Sequence, residues 1–309
     1  MTILVTGASG FAGSHLIEAL LANPQYAHAD IHGTCYGNAG FLETILPKNT
    51  IHAIDLTDQK ATEALIQTVQ PDWIFHLAAF AAVGKSYDDI PKVLQNNLLV
   101  QTSMLESVRK HAPKARVLVV GSAEEYGWSE PGELPINEDH PLRPVNAYGV
   151  SKVAQDLLGY AYFKSFGLDI VRVRPFNHIG PRQSKDFVVP AFEEQIARVE
   201  RGEQNAIHVG NLDAIRDFSD VRDIVRGYIL LMEKGITGEV YNLGSGKGTR
   251  IKDLLDAMIA KASVPIPIVQ DPDRMRPADI PEMVCDNGKA KRLGWEIKEM
   301  NKDSIHKSI

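Results

Sequence analysis

Tyr148 and Lys152 stand four residues apart in a stretch that starts at Asn146 and reads as helix, so their side chains share one face. A tyrosine of pKa about 10 is a poor acid or base near neutral pH. An ammonium beside it favours the phenolate and draws it toward the working range. Such a pair suits proton transfer at a carbonyl or an alcohol. Spacing alone does not establish this, because a Tyr and a Lys four apart also decorate ordinary solvated helices. The elements that would position the pair have to decide.

Residues 2–6 form a short apolar run. Gly7, Gly10 and Gly13 then recur every three residues, ahead of Leu16, Ile17, Leu20 and Leu21 at helical spacing. This reads as strand, tight turn and helix, in which glycines let the backbone approach a pyrophosphate at the helix N-terminus. Further strands are expected at 30–36, 51–55, 73–77, 117–120 and 170–173. Helices are expected at 61–69, from about Pro91, and through 166, where Gly167 stops the chain. Alternation of this kind over some 170 residues predicts an α/β fold, a Rossmann-like doubly wound parallel sheet.

Two details bear on the site. The second strand ends in Gly33, Thr34, Cys35, Tyr36, Gly37 and Asn38, with neither the acid that marks NAD nor a basic residue that marks a 2′-phosphate. The fifth strand runs into Gly121-Ser122-Ala123-Glu124-Glu125-Tyr126-Gly127, which puts a hydroxyl just past a strand's carboxyl end, where parallel sheets build their sites.

Beyond Arg174 the rhythm changes. Residues 175–190 are loop-rich, helices are expected at 189–201 and 221–234, and short strands at 207–209 and 240–243. The expected organisation is a dinucleotide-binding domain over 1–174, rejoined by a segment at about 213–243, and a smaller C-terminal substrate-binding domain over 175–309. Arg216 and Arg276 are read in loops, where a guanidinium fork could hold phosphate; surface ion pairing is the alternative for each.

With 309 residues, 44% hydrophobic and 23% charged, the composition is that of a globular chain of one or two domains. A net charge of −6 disfavours nucleic acid and anionic membrane surfaces as partners. No apolar run is long enough to span a membrane, and the apolar opening at Ile3 leaves no room for a signal peptide, so a cytoplasmic location is expected. Two cysteines and ten histidines without ligand spacing give no reason to expect a metal.

Taken in order, Thr6-Gly7-Ala8-Ser9-Gly10-Phe11-Ala12-Gly13, Asp55-Leu56, His76-Leu77-Ala78-Ala79, Asn97, Ser122 with Tyr126-Gly127, and Tyr148 with Lys152 resemble an extended short-chain dehydrogenase/reductase over almost the whole chain. Within that superfamily, the runs from Arg174 to Pro181, from Val209 to Leu212 with Arg216-Asp217-Phe218, and Arg276-Pro277-Ala278-Asp279 resemble nucleotide-sugar enzymes. GDP-4-keto-6-deoxy-D-mannose reductases are the nearest group.

The resemblance implies that Gly7, Ser9, Gly10, Phe11 and Gly13 hold the pyrophosphate and Asp55 and Leu56 the adenine. Leu77, Ala78 and Ala79 would lie against the cofactor. Lys152 would bind the nicotinamide ribose and lower the tyrosine pKa. Tyr148 would protonate a ketone oxygen that Ser122 hydrogen-bonds, while NADP(H), or NAD(H) as the second option, delivers hydride. Glu124, Asn177, Arg216 and Arg276 would bind a GDP-sugar, with a GDP-6-deoxyhexose of the GDP-D-rhamnose type as product. Relatives pair through the helices carrying Asn97 and Tyr148, so a homodimer is implied. The chain's end at Ile309 is shorter than the family's last helix would need. A dehydratase or a 4-epimerase would use the same Tyr148 and Lys152, and a non-catalytic dinucleotide sensor would be favoured had the tyrosine, lysine or serine been lost.

Overall fold

The computed structural model describes residues 1–81, 83–130 and 132–299, so 300–309, including the Ile309 end, lie outside the described residues. Strand and helix alternate as β1 (Thr2–Thr6), α1 (Phe11–Ala22), β2 (Asp30–Cys35), α2 (Leu42–Ile45), β3 (Ile51–Ala53), α3 (Gln59–Val69), β4 (Trp73–His76), α4 (Ile90–His111), β5 (Arg116–Val120), α5 (Ala147–Phe166) and β6 (Asp169–Pro175). The chain continues through β7 (Asn177–Ile179), α6 (Val188–Glu200), β8 (Ile207–Val209), β9 (Ile215–Asp220), α7 (Val221–Lys234), β10 (Val240–Leu243), β11 (Gly248–Arg250), α8 (Ile251–Ile259), β12 (Ile268–Gln270), β13 (Glu282–Met283) and α9 (Gly288–Arg292).

Seven strands form one sheet in the order β10-β6-β5-β4-β1-β2-β3, every pair parallel. Its strands are apolar on both faces, as a sheet covered by helices on each side requires. Ile3 and Val5 of β1 pack with Leu16, Leu20 and Tyr228 on one side, while Leu4 packs with Met104, Leu105 and Val117 on the other. The order reverses between β1 and β4, which opens a crevice at their carboxyl ends.

The segment 221–243 returns to this sheet: α7 packs along α1, and β10 pairs with β6. β9, just before it, is instead the centre of a second sheet that it forms with β11, β13 and β7. Arg216 therefore stands on a strand and not in a loop, a correction to the sequence reading. A separate core of Val189, Phe192, Ile207, Phe218, Leu254 and Leu255 fills this second layer.

α5 is built back to front. Asn146 caps it by accepting from the Gly149 N–H at 2.8 Å, and Gly167, at φ 68°, ends it in the left-handed conformation that a side chain would resist. Its buried stripe is Tyr148, Lys152, Gln155, Asp156 and Gly159, whereas Val150, Leu157, Tyr160 and Phe166 face outward. A Cβ on Gly159 would sit 3.3 Å from Val119 Cγ2, so the missing side chain lets the helix lie close on β5.

Candidate active site

At the floor of the crevice, one hydroxyl ties the carboxyl ends of β1 and β4 together. Thr6 Oγ1 accepts from the Leu77 and Ala78 N–H groups at 3.1 and 3.2 Å, and meets His76 Nδ1 at 2.9 Å. With its lone pairs taken by two donors, the hydroxyl gives its own proton to Nδ1. Burial pushes His76 down to about 3, so the ring is neutral and can accept it.

Above this tie the chain turns at Gly7, whose φ of 65° and whose neighbours forbid a side chain: a Cβ would lie 3.0 Å from Ala78 Cα. A Cβ on Gly13 would lie 2.3 Å from the Gly7 carbonyl oxygen. α1 starts on Gly10 with no side-chain cap, so the helix presents its positive end and first-turn amides to the crevice. These features fit a dinucleotide pyrophosphate.

The crevice widens into a cleft of about 1290 Å³ lined by every residue named above for the cofactor, from Gly7, Ser9, Gly10, Phe11 and Gly13 through Asp55, Leu56, Leu77, Ala78 and Ala79 to Lys152. Ser122, Glu124, Tyr148, Asn177, Arg216 and Arg276 line the same cleft. Two strand ends differ from expectation: β2 stops at Cys35 and β3 at Ala53. Asp55 lies in a turn where its Oδ1 accepts from the Thr57 N–H at 2.9 Å and hydroxyl at 2.7 Å.

At the acid/base corner, Lys152 Nζ donates to the Val120 carbonyl at 2.8 Å and to Gln155 Oε1 at 3.0 Å, and sits 5.9 Å from the centre of the Tyr148 ring. Burial pushes this ammonium down to about 8, against the pull of Glu125 and Asp156. Tyr148 departs from the sequence expectation. Burial raises it above the ordinary phenol range, Glu124 and Glu125 add to that, and the hydrogen bond with Ser122 only partly opposes it. The ammonium is spent on Val120 and Gln155 instead of on the phenol, so Tyr148 is a phenol at neutral pH. That is the form a proton donor needs.

Ser122 caps the short 3₁₀ turn Ala123–Glu125, with its hydroxyl accepting from the Glu124 N–H at 3.2 Å. Glu124 turns back into the cleft, where Asn146 Nδ2 donates to it at 2.7 Å.

At the other end of the cleft, Arg216 is buried, and its Nη2 donates to Asp279 Oδ1 at 3.0 Å. Asn211 Nδ2 donates to the second oxygen of the same carboxylate at 2.7 Å. Arg276 is exposed at the rim, and Asn177 lies on β7 opposite Phe218.

A strap that follows Asn177 ties the two halves together. The His178 ring stacks on Phe11 at 5.7 Å, His15 Nε2 meets the Pro181 carbonyl at 2.9 Å, and Arg182 Nε donates to Ser14 Oγ at 3.1 Å. The Arg182 guanidinium also covers the Phe41 ring at 4.1 Å. Arg182 went unread in the sequence, as did Asp156 and the role of Glu125. Asp156 carried a usable signal, four residues after Lys152 on the same helical face.

Comparison with known proteins agrees with this geometry. The sequence matches the family described as GDP-mannose 4,6 dehydratase over residues 4–307. It is 35% identical over 278 residues to the GDP-6-deoxy-D-mannose reductase of Pseudomonas aeruginosa, covering 90% of this chain and 85% of that one. The structure superposes on RMD from Pseudomonas aeruginosa complexed with NADPH with a TM-score of 0.85 and 32% identity, over 99% of this chain and 97% of the other. It also superposes on the UDP-glucose 4-epimerase of Thermotoga maritima with UDP-glucose at a TM-score of 0.87 and 28% identity, over 100% and 97% of the two chains. An extended Rossmann sheet, a Ser-Tyr-Lys corner and a match along nearly the whole sequence lead to one conclusion: the chain belongs to the GDP-mannose 4,6 dehydratase family of extended short-chain dehydrogenases/reductases.

Proposed function

We propose that this protein reduces the 4-keto group of a GDP-4-keto-6-deoxyhexose, of the GDP-4-keto-6-deoxy-D-mannose type, to a GDP-6-deoxyhexose of the GDP-D-rhamnose type. NADPH is the favoured donor and NADH the second option. The observation that carries the reading is the buried Tyr148, which lines one cleft with Ser122, Lys152 and the glycine turn. The likeness to a relative named GDP-6-deoxy-D-mannose reductase, and to a neighbour solved with NADPH, supports it.

Tyr148 gives its proton to the ketone oxygen, and Ser122 holds that oxygen. Lys152 keeps a positive charge beneath them, while Asn177, Arg216, Arg276 and Glu124 take the sugar nucleotide. The bound cofactor supplies the hydride. When the phenol proton leaves, the phenolate forms close to Lys152, and the burial of both side chains strengthens their attraction.

A second reading, a 4,6-dehydratase, has one observation in its favour. Dehydratases of this family place Thr, then Asp or Ser, then Glu after the fifth strand, and Glu124 keeps the last of these. Ala123, buried and apolar, stands where the middle polar partner would be. It can neither donate nor accept a proton for the departing hydroxyl. Glu124 is also already engaged by Asn146.

The homodimer belongs to this proposal as well. α4 and α5 pack together, and Leu99, Val150, Leu157, Tyr160 and Phe166 leave an apolar face exposed for a second copy. No helix among the described residues is long and apolar enough to cross a membrane, and the buried free thiols Cys35 and Cys285 suit the reducing cytoplasm.

One experiment tests the reading: loss of NADPH absorbance with the 4-keto sugar, beside mass spectrometry of GDP-mannose incubated with oxidised cofactor. Reduction of the ketone with no change in GDP-mannose is expected. A product lighter by one water would make the protein a dehydratase.

A further inference from the structure

Directly beneath the Ser122 turn lies a closed ionic cluster that the reaction itself does not touch. Glu125 is 0% exposed. Its Oε1 accepts from the Ser122 N–H at 2.8 Å and its Oε2 from Arg174 Nε at 2.9 Å. Arg174 also holds Asp156 and donates to the Tyr126 hydroxyl at 3.0 Å, and Asp156 Oδ1 accepts from Arg172 Nη1 at 3.1 Å. Gly121 is part of the fit, because a Cβ there would lie 2.1 Å from Glu125 Oε1. Room for this carboxylate is therefore made by the residue that precedes the serine.

We propose that Glu125 is a positioning residue with two separable jobs: its reach fixes the turn that aims the Ser122 hydroxyl at Tyr148, and its charge, with that of Asp156, favours the ammonium form of Lys152. The proposal rests on the reductase reading for its substrate, but not for its logic. Burial and the neighbouring Asp156 push the Glu125 carboxyl up, and Arg174 and the Ser122 N–H oppose them. Both carboxyl oxygens meet donors and neither meets an acceptor, which is the pattern of an ionised group.

The titratable and charged groups around Lys152 are Glu125 and Tyr126 from the turn, Tyr148 and Asp156 from α5, Arg172 and Arg174 from β6, and His76 from β4. Among the described residues, Lys152 donates to two neutral oxygens, so the two carboxylates act on it through space. At this depth such an interaction is weakly screened.

Two variants separate the jobs. Glu125→Gln keeps the length and loses the charge. Glu125→Asp keeps the charge but is one methylene short of the Ser122 N–H. In the wild type, NADPH affinity followed by fluorescence should fall as pH rises through about 8, where Lys152 loses its proton. In Glu125→Gln that fall should move down by about one pH unit, with kcat at low pH reduced only severalfold. In Glu125→Asp the fall should stay in place while kcat drops by up to about 100-fold with the KM for NADPH unchanged.

Thermal melts of both variants establish that they fold. A fall in affinity that stays put in Glu125→Gln, or a wild-type kcat in Glu125→Asp, overturns the proposal and leaves Glu125 a structural acid. If the wild type dehydrates GDP-mannose instead of reducing the ketone, the reductase reading alone is lost. Both arms are then read on that reaction, since the affinity arm needs only cofactor.

Discussion

The Ser122-Tyr148-Lys152 corner and the Arg216-Arg276 end of the cleft are assembled on opposite plans. At the corner, Ser122, Tyr148 and Lys152 are held by bonds within the protein: a capped turn, a buried helix face and a lysine tied to Val120 and Gln155. At the other end, Arg216 spends its charge on Asp279, and Arg276 stands in water. On the proposed function, the corner is prepared before substrate arrives, whereas the far end would trade an internal ion pair for the substrate's diphosphate. Bond-making groups gain most from pre-organisation, and groups that set affinity can exchange partners without loss of rate.

The sharpest way to break this contrast is Tyr148→Phe. It should lower kcat by roughly 10²- to 10⁴-fold, as loss of a positioned acid does, with NADPH affinity retained in a fluorescence titration. Lys152→Met should weaken both. Near-normal turnover in Tyr148→Phe would show that the corner is not where the proton comes from.

At the opposite end, Arg216→Ala and Arg276→Ala should raise the KM for the sugar nucleotide and spare kcat. A charge-assisted bond is worth about 1.5–3 kcal/mol, so Arg216→Ala should raise KM about tenfold or more. Arg276, exposed and screened, should give less, and an unchanged KM would return it to the solvent face. Asp279→Asn sharpens the point: freeing Arg216 from its partner should lower KM by about two- to fivefold, the worth of a partly exposed pair. A higher KM would mean that Asp279 positions Arg216 and does not compete for it.

The smallest effect expected is on cofactor choice. With no carboxylate at the end of β2 to repel a 2′-phosphate, kcat/KM should be at least as high for NADPH as for NADH. A clear preference for NADH would mean that the repulsive carboxylate is not needed to select it.

How far the sequence carried the site depended on whether partners were near in the chain. β1, α1 and the glycine turn could be read because Gly7, Gly10 and Gly13 and the apolar positions after them form one local pattern. Tyr148 and Lys152 could be read because a helix repeats. β7, β9, β11 and β13 could not. Three of them have two or three residues, and β9 buries Arg216 and Asp217 in succession, which erases the alternation of a half-buried strand.

The ionic cluster was illegible for a related reason: Arg174 finds Glu125 49 residues away and Asp156 18 away. The shift of Tyr148 failed differently. Spacing placed a lysine beside it, but only the folded neighbourhood shows that the lysine is engaged elsewhere and that burial dominates.

The strap from His178 to Arg182 has a thermodynamic consequence. It continues β7, whose Asn177 lines the cleft, while its rings and guanidinium rest on α1, the helix whose N-terminus faces the glycine-turn crevice. Any shift of α1 on filling one compartment would reach the other through the Phe11–His178 stack. Linkage would then require that cofactor change substrate affinity and substrate change cofactor affinity by the same factor. Titrating each ligand in the presence and absence of the other measures that factor, and equal affinities in both cases would show that the strap is a static tie.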